Sequence, residues 1–578
     1  MPRTLQRVFL LLLLLLSFSV LTFADFMPTR IKELSLEISS LEKSMETAKL
    51  EMRRLNYDFL EEKINLLQLN LEKATLLAKN NPDSQEAIQL LADITFMLKE
   101  ISPFLYESLP VETRGIWLDN ATVDSFFTRE DISNYLDKLK AINVNIIFPD
   151  VYGKGSAIYP SDVVPQNWRF KTMYNGKDIL KDLITEAHKR NIEVHPLVRV
   201  FALHNDPEHF LASHIDWLDK TKANNYTLAN GFYWLSPVHP GVREYLIAML
   251  VELANNYDID GVHLDYIRFD SDYGYNEYTR NLYKKLFGLD PLDFKTPKQE
   301  EDFIIFKTQF INRFVERSFK ELKAIKPSLI ISAAACSPYA WYKLEKGQDW
   351  LSWMQNRTVH FCTPMSYRKT ATEYLAVVNS DLNSVAQSGY LFTGLGVYLF
   401  NDTVLLEQIA AGRKAALTGQ MIFSTTNMKL SHFDVLQKGP WSKPSMPTYR
   451  DPMEAAYQIL IDLCQRIIEF KPVLGNYSLQ LEKYISTIEK LAKQVKDLEL
   501  KPWDTRDLRE ESPMDVTQLE PIIKAIESFI LQLKRESKNE NLIPVITAER
   551  IITDLSWVNS LLLPLLYTSK PYKFIATK

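Results

Sequence analysis

Apolar positions along the chain follow two rhythms. In the middle they come in short runs rich in β-branched and aromatic residues, at 113–119, 143–151, 192–200, 259–269, 328–336, 358–367, 391–399 and 419–426. Between these runs the spacing changes to three and four residues, as at 131–141, 179–190, 242–257, 303–325 and 403–417. Near-continuous apolar strands separated by amphipathic helices predict a parallel sheet covered by helices. Eight such units predict an α/β fold, a closed (β/α)8 TIM barrel over 111–471.

Both flanks read as helix. Ile31, Leu34, Ile38, Leu41, Met45, Ala48, Met52, Leu55 and Phe59 place one apolar stripe on one face; after a phase slip it resumes at Leu60, Ile64, Leu67, Leu71, Ala74 and Ala78. A turn at 80–84 precedes a second helix over 85–100, so 28–105 forms an N-terminal helical or coiled-coil region. It is either a dimerising coiled coil, giving a homodimer, or a hairpin packed on its own chain, against the C-terminal helical region 472–578. That region carries three further amphipathic stretches, 477–498, 516–534 and 543–566. At the start, Arg3 and Arg7 precede an apolar run from Val8 to Phe23, and Thr22 and Ala24 suit a signal peptidase. Residues 1–24 are expected to be a signal peptide cleaved after Ala24, or an uncleaved anchor attaching the chain to a membrane through 8–24. Either way the body is exported: periplasmic, in the cell envelope, or secreted.

Composition narrows the chemistry. Sixty-seven basic against 72 acidic residues give a net charge of −5, so no basic field invites a nucleic acid. Three cysteines, none in a C-x-x-C pair, make neither a disulfide framework nor a zinc site. Dinucleotide, P-loop and zincin motifs are lacking, and no cofactor is called for.

In such a barrel, chemistry sits at the carboxyl ends of the strands. The fourth strand is richest there. Alternation puts His263 and Asp265 on one face, toward the barrel mouth, and Arg268 is placed to keep a carboxylate ionised or clamp a substrate oxygen. The plainer reading is that Asp265 and Arg268 pair only to finish the strand. The second strand ends in Phe148-Pro149-Asp150-Val151-Tyr152, the third carries His195 and Arg199 inward, and Asp349 precedes a helix after the fifth. Trp117, Trp234, Tyr266, Trp350 and Tyr367 recur near strand ends. Singly, each suits core or rim packing. With several carboxylates they describe a sugar cleft, the rings matching C–H faces and the charged groups binding hydroxyls.

These residues carry a resemblance. Thr113 to Leu118, Asn143 to Asn145 leading through Tyr159-Pro160-Ser161, and the segments at 186–198, 234–246, 257–269, 348–353 and 364–367 resemble, in order, the glycosyl hydrolase-like 10 family. The resemblance implies a TIM barrel with glycosidase-like activity in an exported bacterial protein, with Asp265 as leading catalytic candidate. The chain departs from the family where Pro196 and Leu197 follow His195 and an aromatic is expected. The fourth strand also resembles α-amylase-type barrels, which implies a nucleophile at Asp265. Those barrels carry a Glu on the fifth strand, where 332–336 offers none.

The sequence thus predicts a glycoside hydrolase acting on an envelope or extracellular polysaccharide, peptidoglycan glycan strands included. Asp265, Asp349 and Asp150 are its candidate catalytic carboxylates. His195, His263, Tyr266, Arg268, Trp117, Trp234, Trp350 and Tyr367 are its candidate substrate-binding residues. A metal held by His195, His263 and Asp265 is the lesser alternative, and no metal site is called. The rival reading is a glycan-binding or envelope-organising protein without catalysis.

Overall fold

All six residues of strand β1, Thr113–Leu118, are buried, as expected of a strand covered on both faces. It pairs in parallel with β2, Ile146–Gly153, at Gly115↔Ile146 and Leu118↔Pro149. The sheet continues through β3 (Glu193–Val194 and Leu197–Arg199), β4 (Gly261–Asp265), β5 (Ile330–Ala335) and β6 (Phe361–Pro364). The seventh strand, β7, is interrupted at Phe392. Its first piece, Tyr390–Leu391, pairs with β6, and its second, Thr393–Gly396, pairs with β8, Gly419–Phe423. Since β8 also pairs with β1, at Thr113↔Gly419, the ring closes through these two pieces. The structure, a computed structural model, describes residues 23–174, 178–204, 208–227, 231–385, 388–498, 516–539 and 541–566. The eight predicted runs are the eight strands, and the barrel is confirmed.

Helices Arg129–Ala141, Ile179–His188, Pro240–Asn256, Pro297–Ile325, Trp350–Gln355, Ala371–Val385, Asp402–Lys414 and Pro452–Phe470 follow the strands in turn. Two loops at the carboxyl ends are long. The β3 loop carries an antiparallel hairpin of Ala202–His204 with Tyr233–Trp234, and the β4 loop carries the helix Glu277–Phe287. At the opposite end Tyr449 closes the barrel floor, its ring 5.0 Å from that of Phe361 and 6.0 Å from that of Phe392.

The N-terminal region departs from the expected pattern. The apolar stripe breaks at 51–56 into helices Phe23–Leu50 and Tyr57–Asn80, and Gln85–Ile101 lies against both. Leu34, Ile38, Leu41, Leu60, Ile64, Leu67, Leu91 and Ile94 bury one another in a core of their own. Met52 turns the chain at φ 53°, Asn56 caps the second helix, and neither glycine nor proline marks the break. The expectation that these helices bury their stripes on the C-terminal ones is therefore corrected. At the turn the N-terminal region meets the last barrel helix, where Arg54 pairs with Asp462 and Glu469, and the C-terminal region, where Thr547 Oγ1 donates to Leu50 O at 2.7 Å. C-terminal helices Ser478–Lys496, Val516–Glu536 and Val545–Leu566 follow the predicted stretches. Of the signal segment, residues 1–22 lie outside the described residues.

Candidate active site

The inward-facing polar side chains of β3 and β4 fall on three levels, set by the register Leu197↔His263 and Arg199↔Asp265. Two residues of strand advance about 6.6 Å, so each level stands that far above the one below.

His195 occupies the lowest level, near the floor, and is fully buried. Its Nε2 faces Glu193 at 3.2 Å, and Glu193 in turn accepts from Tyr449 Oη and from Arg450. The ring lies over Gly261, where a Cβ would stand 2.4 Å from Nδ1, so only glycine fits there. The expectation that His195 faces the mouth is corrected: inward alternation does not say at which depth a side chain sits.

His263 occupies the middle level, also without exposure. Trp117 Nε1 donates to its Nε2 at 3.1 Å, which assigns the ring proton to Nδ1, 2.8 Å from Ser332 Oγ. Burial holds this histidine well below its usual range, so it is neutral. Phe148 packs against it with centroids 4.2 Å apart and the rings tilted by 35°. His263 and Trp117 are therefore barrel filling, not mouth residues. His195, His263 and Asp265 lie one above another, and among the described residues no three His, Cys, Asp or Glu side chains converge on a metal position.

Asp265 ends β4 on the top level. Its Oδ1 accepts from the N–H of Tyr266 at 2.6 Å and stands 3.8 Å from Arg268 Nη1. Tyr266 takes a left-handed backbone at φ 49°, a strained conformation of the kind that collects at functional sites. Its ring is flanked by Arg268 at 4.5 Å and Arg199 at 5.5 Å. Arg199, the register partner of Asp265, donates from Nε to Asp150 Oδ2 at 2.6 Å and from Nη2 to Asn120 Oδ1 at 2.5 Å. Burial pushes the Asp150 carboxyl up to about 6 against the pull of Arg199, with the charges of Asp265 and Asp119 adding to the rise. Three neighbouring strands thus gather Asp150, Arg199 and Asp265 at one end of the barrel, with Asp150 on the Arg199 guanidinium and Asp265 across the β3–β4 pairing from it. Arg268 differs from Arg199: its Nη1 is buried with no hydrogen-bond partner among the described residues.

The mouth wall is aromatic. Tyr367 stacks on Phe423 at 5.2 Å and meets Tyr398 at 6.0 Å, while Trp234, from the hairpin, reaches Tyr266 at 5.9 Å. Trp350 is not part of it. It is fully buried and donates from Nε1 to Cys336 O at 3.1 Å. Asp349 also stands apart, its Oδ1 accepting from Tyr339 Oη at 2.5 Å and its Oδ2 lying 3.3 Å from Lys343. Among the described residues it shares no hydrogen-bond or ion-pair partner with Asp265 or Asp150. Sequence reasoning placed Arg199 inward without giving it a role, and missed Phe423, whose position at the end of β8 was the available signal.

A family model for glycosyl hydrolase-like 10 matches residues 112–403. The chain is 24% identical over 203 residues to glycosyl hydrolase DigH of Escherichia coli K12, covering 28% of this chain and 42% of that one. It is 22% identical over 394 residues to glycosyl hydrolase YngK of Bacillus subtilis, covering 58% of this chain and 73% of the relative. The match to DigH therefore spans less than half of that protein. Among solved structures, α-L-fucosidase isoenzyme 2 from Paenibacillus thiaminolyticus superposes with a TM-score of 0.45 at 16% identity, over 57% of this chain and 49% of that one.

Proposed function

The chain belongs to the glycosyl hydrolase-like 10 family, and from that premise we propose that its barrel mouth hydrolyses a glycosidic bond, with Asp265 and Asp150 as the working carboxylates. Asp265 acts as nucleophile or general base, its Oδ1 positioned by the Tyr266 N–H and 3.8 Å from Arg268 Nη1. Asp150 acts as general acid, because burial gives it a proton to lend near pH 6. Arg199 bridges the two strand ends and holds Asp150 in place. Protonating the leaving oxygen and attacking or hydrating the anomeric carbon are the two tasks that such a pair divides. The observation that carries this reading is the raised Asp150 carboxyl, held by Arg199, whose strand pairs at that residue with Asp265.

An exported envelope or extracellular polysaccharide is the substrate class this reading favours, resting on the apolar segment 8–23 with its preceding arginines. The test is reducing-end release from a panel of peptidoglycan glycan strands, chitin, β-glucan, α-glucan and galactan, with wild type, Asp265→Asn and Asp150→Asn. Cleavage by wild type that both variants lose supports the assignment. Full activity in a folded Asp265→Asn protein removes it. Binding without cleavage by wild type favours the glycan-binding alternative.

A further inference from the structure

Nine of the ten tryptophans lie among the described residues, and only two of them are exposed: Trp168 at 70% and Trp341 at 67%. Both stand at the mouth end, one in the connection after β2, the other in the connection after β5. In a ring of eight strands these connections lie across the mouth from each other. Exposed indoles are expensive to leave in water, and here they stand on loops at the end of the barrel that holds Asp150 and Asp265.

Trp341 is also fixed. Its Nε1 donates to Glu345 Oε2, and Glu345 Oε1 accepts from Ser271 Oγ at 2.8 Å. Lys346 donates to the same Ser271 Oγ at 2.8 Å and to Asp270. Ser271 lies three residues beyond Arg268, so this polar cluster ties the Trp341 helix to the loop that carries the catalytic strand's end. One turn further along the helix, Leu344 joins Phe294, Pro297 and Ile304 around a cavity of about 510 Å³. On the other side, Asn167 and Phe170, which bracket Trp168, line a small cavity with Asp150 and Asn120. Trp168 therefore neighbours a cavity that Asp150 lines, and Trp341 is tied through Glu345 and Ser271 to the loop after Asp265.

We propose that Trp168 and Trp341 are sugar-stacking platforms that hold neighbouring residues of one polysaccharide strand on opposite sides of the cleavage point. Glu345 and Lys346, at the edge of the Trp341 ring, bind hydroxyls of the stacked sugar. A ring held at its N–H edge offers its apolar face at little entropic cost, the arrangement a pyranose C–H face needs. This proposal rests on the glycosidase reading, which supplies the strand.

The test uses the full chain and the panel polysaccharide that wild type cleaves best, prepared both as polymer and as its shortest cleaved oligosaccharide. Trp341→Ala and Trp168→Ala are expected to lower kcat/KM on the polymer about tenfold each, mainly through KM, and to bring the polymer-to-oligosaccharide ratio toward one. Trp341→Phe, which keeps a ring, should stay near wild type. A wild-type ratio in both alanine variants overturns the proposal. Should no glycan be cleaved, the same proteins are run through gels containing each polysaccharide. Retardation lost in the alanine variants upholds the platforms while the cleavage reading falls. Equal migration of wild type and variants, including retardation of neither, overturns the platforms.

Discussion

The barrel has two polar ends, and they are built on opposite rules. At the floor end the buried charges are held in close ion pairs. Glu112 binds both Arg114 and Arg413, and Glu193 binds Arg450. At the junction of the N-terminal turn with the C-terminal helices, Arg550 pairs with Glu107 and Asp554, Arg466 with Asp462 and Asp554, and Arg54 with Asp462. At the mouth end the pairing is incomplete. Among the described residues Arg268 leaves a buried Nη1 without an acceptor, as Arg466 also does, but Arg466 has two close carboxylates whereas Asp265 meets Arg268 only at 3.8 Å, and burial keeps the Asp150 carboxyl near 6 in spite of its arginine. An uncompensated buried charge costs several kcal/mol, so it survives where a ligand or a reaction completes it. The floor spends its charges on joining three parts of the chain; the mouth holds its charges ready.

The sharpest way to break this contrast is at Asp265. Asp265→Asn should cut glycan cleavage by several orders of magnitude while leaving the thermal midpoint near wild type, since asparagine keeps the shape but neither attacks nor accepts a proton. A lowered midpoint would place Asp265 with the floor charges instead. Asp150→Asn should cost about 10²–10⁴-fold. Its second signature is a pH profile: wild-type activity should fall as pH rises through about 6, where Asp150 gives up its proton. That limb should be missing in the variant, and a substrate with a good leaving group should recover most of the rate.

At the floor the order of effects reverses. Arg550→Ala leaves Glu107 and Asp554 buried beside an empty place. Breaking a buried pair in this way costs about 3–5 kcal/mol. Urea unfolding should show that loss, and cleavage per folded molecule at 25 °C should stay close to wild type. A variant with a normal urea midpoint and reduced cleavage would show that the junction serves the mouth.

What was legible in the sequence follows the same division. The eight strands were readable because a barrel strand is apolar on both faces, and the β7 interruption at Phe392 does not alter that run. The break at 51–56 was not readable, because Met52 adopts a left-handed backbone without the glycine that would announce it. Alternation found the inward residues but not their depth, so His195 and His263 were assigned to a mouth that lies above them. Trp350 and Asp349 sit on a loop and a short helix whose folding-back over β5, through Trp350 Nε1 and Cys336 O, is a tertiary matter. Asp265 was found because it ends β4, and Asp150 because it lies in the carboxyl-terminal half of β2, the end that the barrel reserves for chemistry.

The smallest effect separates the two ends by sign. Asp150 has a folded value of about 6, above the ordinary 3.8, because burial disfavours its charge. Its stabilising contribution is full below 3.8 and is lost as pH rises through 6. Glu107 is the opposite case: burial pushes it up, but Arg550, Arg466 and Arg53 outweigh burial and hold it at about 2, below the ordinary 4.5. Its contribution is full above 4.5 and is lost as pH falls through 2. Urea midpoints measured from pH 2 to 8 should therefore diverge from wild type in separate windows. Asp150→Asn should gain on wild type between about pH 4 and 6 and run parallel above. Glu107→Gln should fall behind wild type as pH rises from 2 to about 4.5, then run parallel. Divergence of Asp150→Asn in the lower window, with no change between 4 and 6, would mean that Asp150 is a settled ion pair like those of the floor, and the general acid would have to be sought elsewhere.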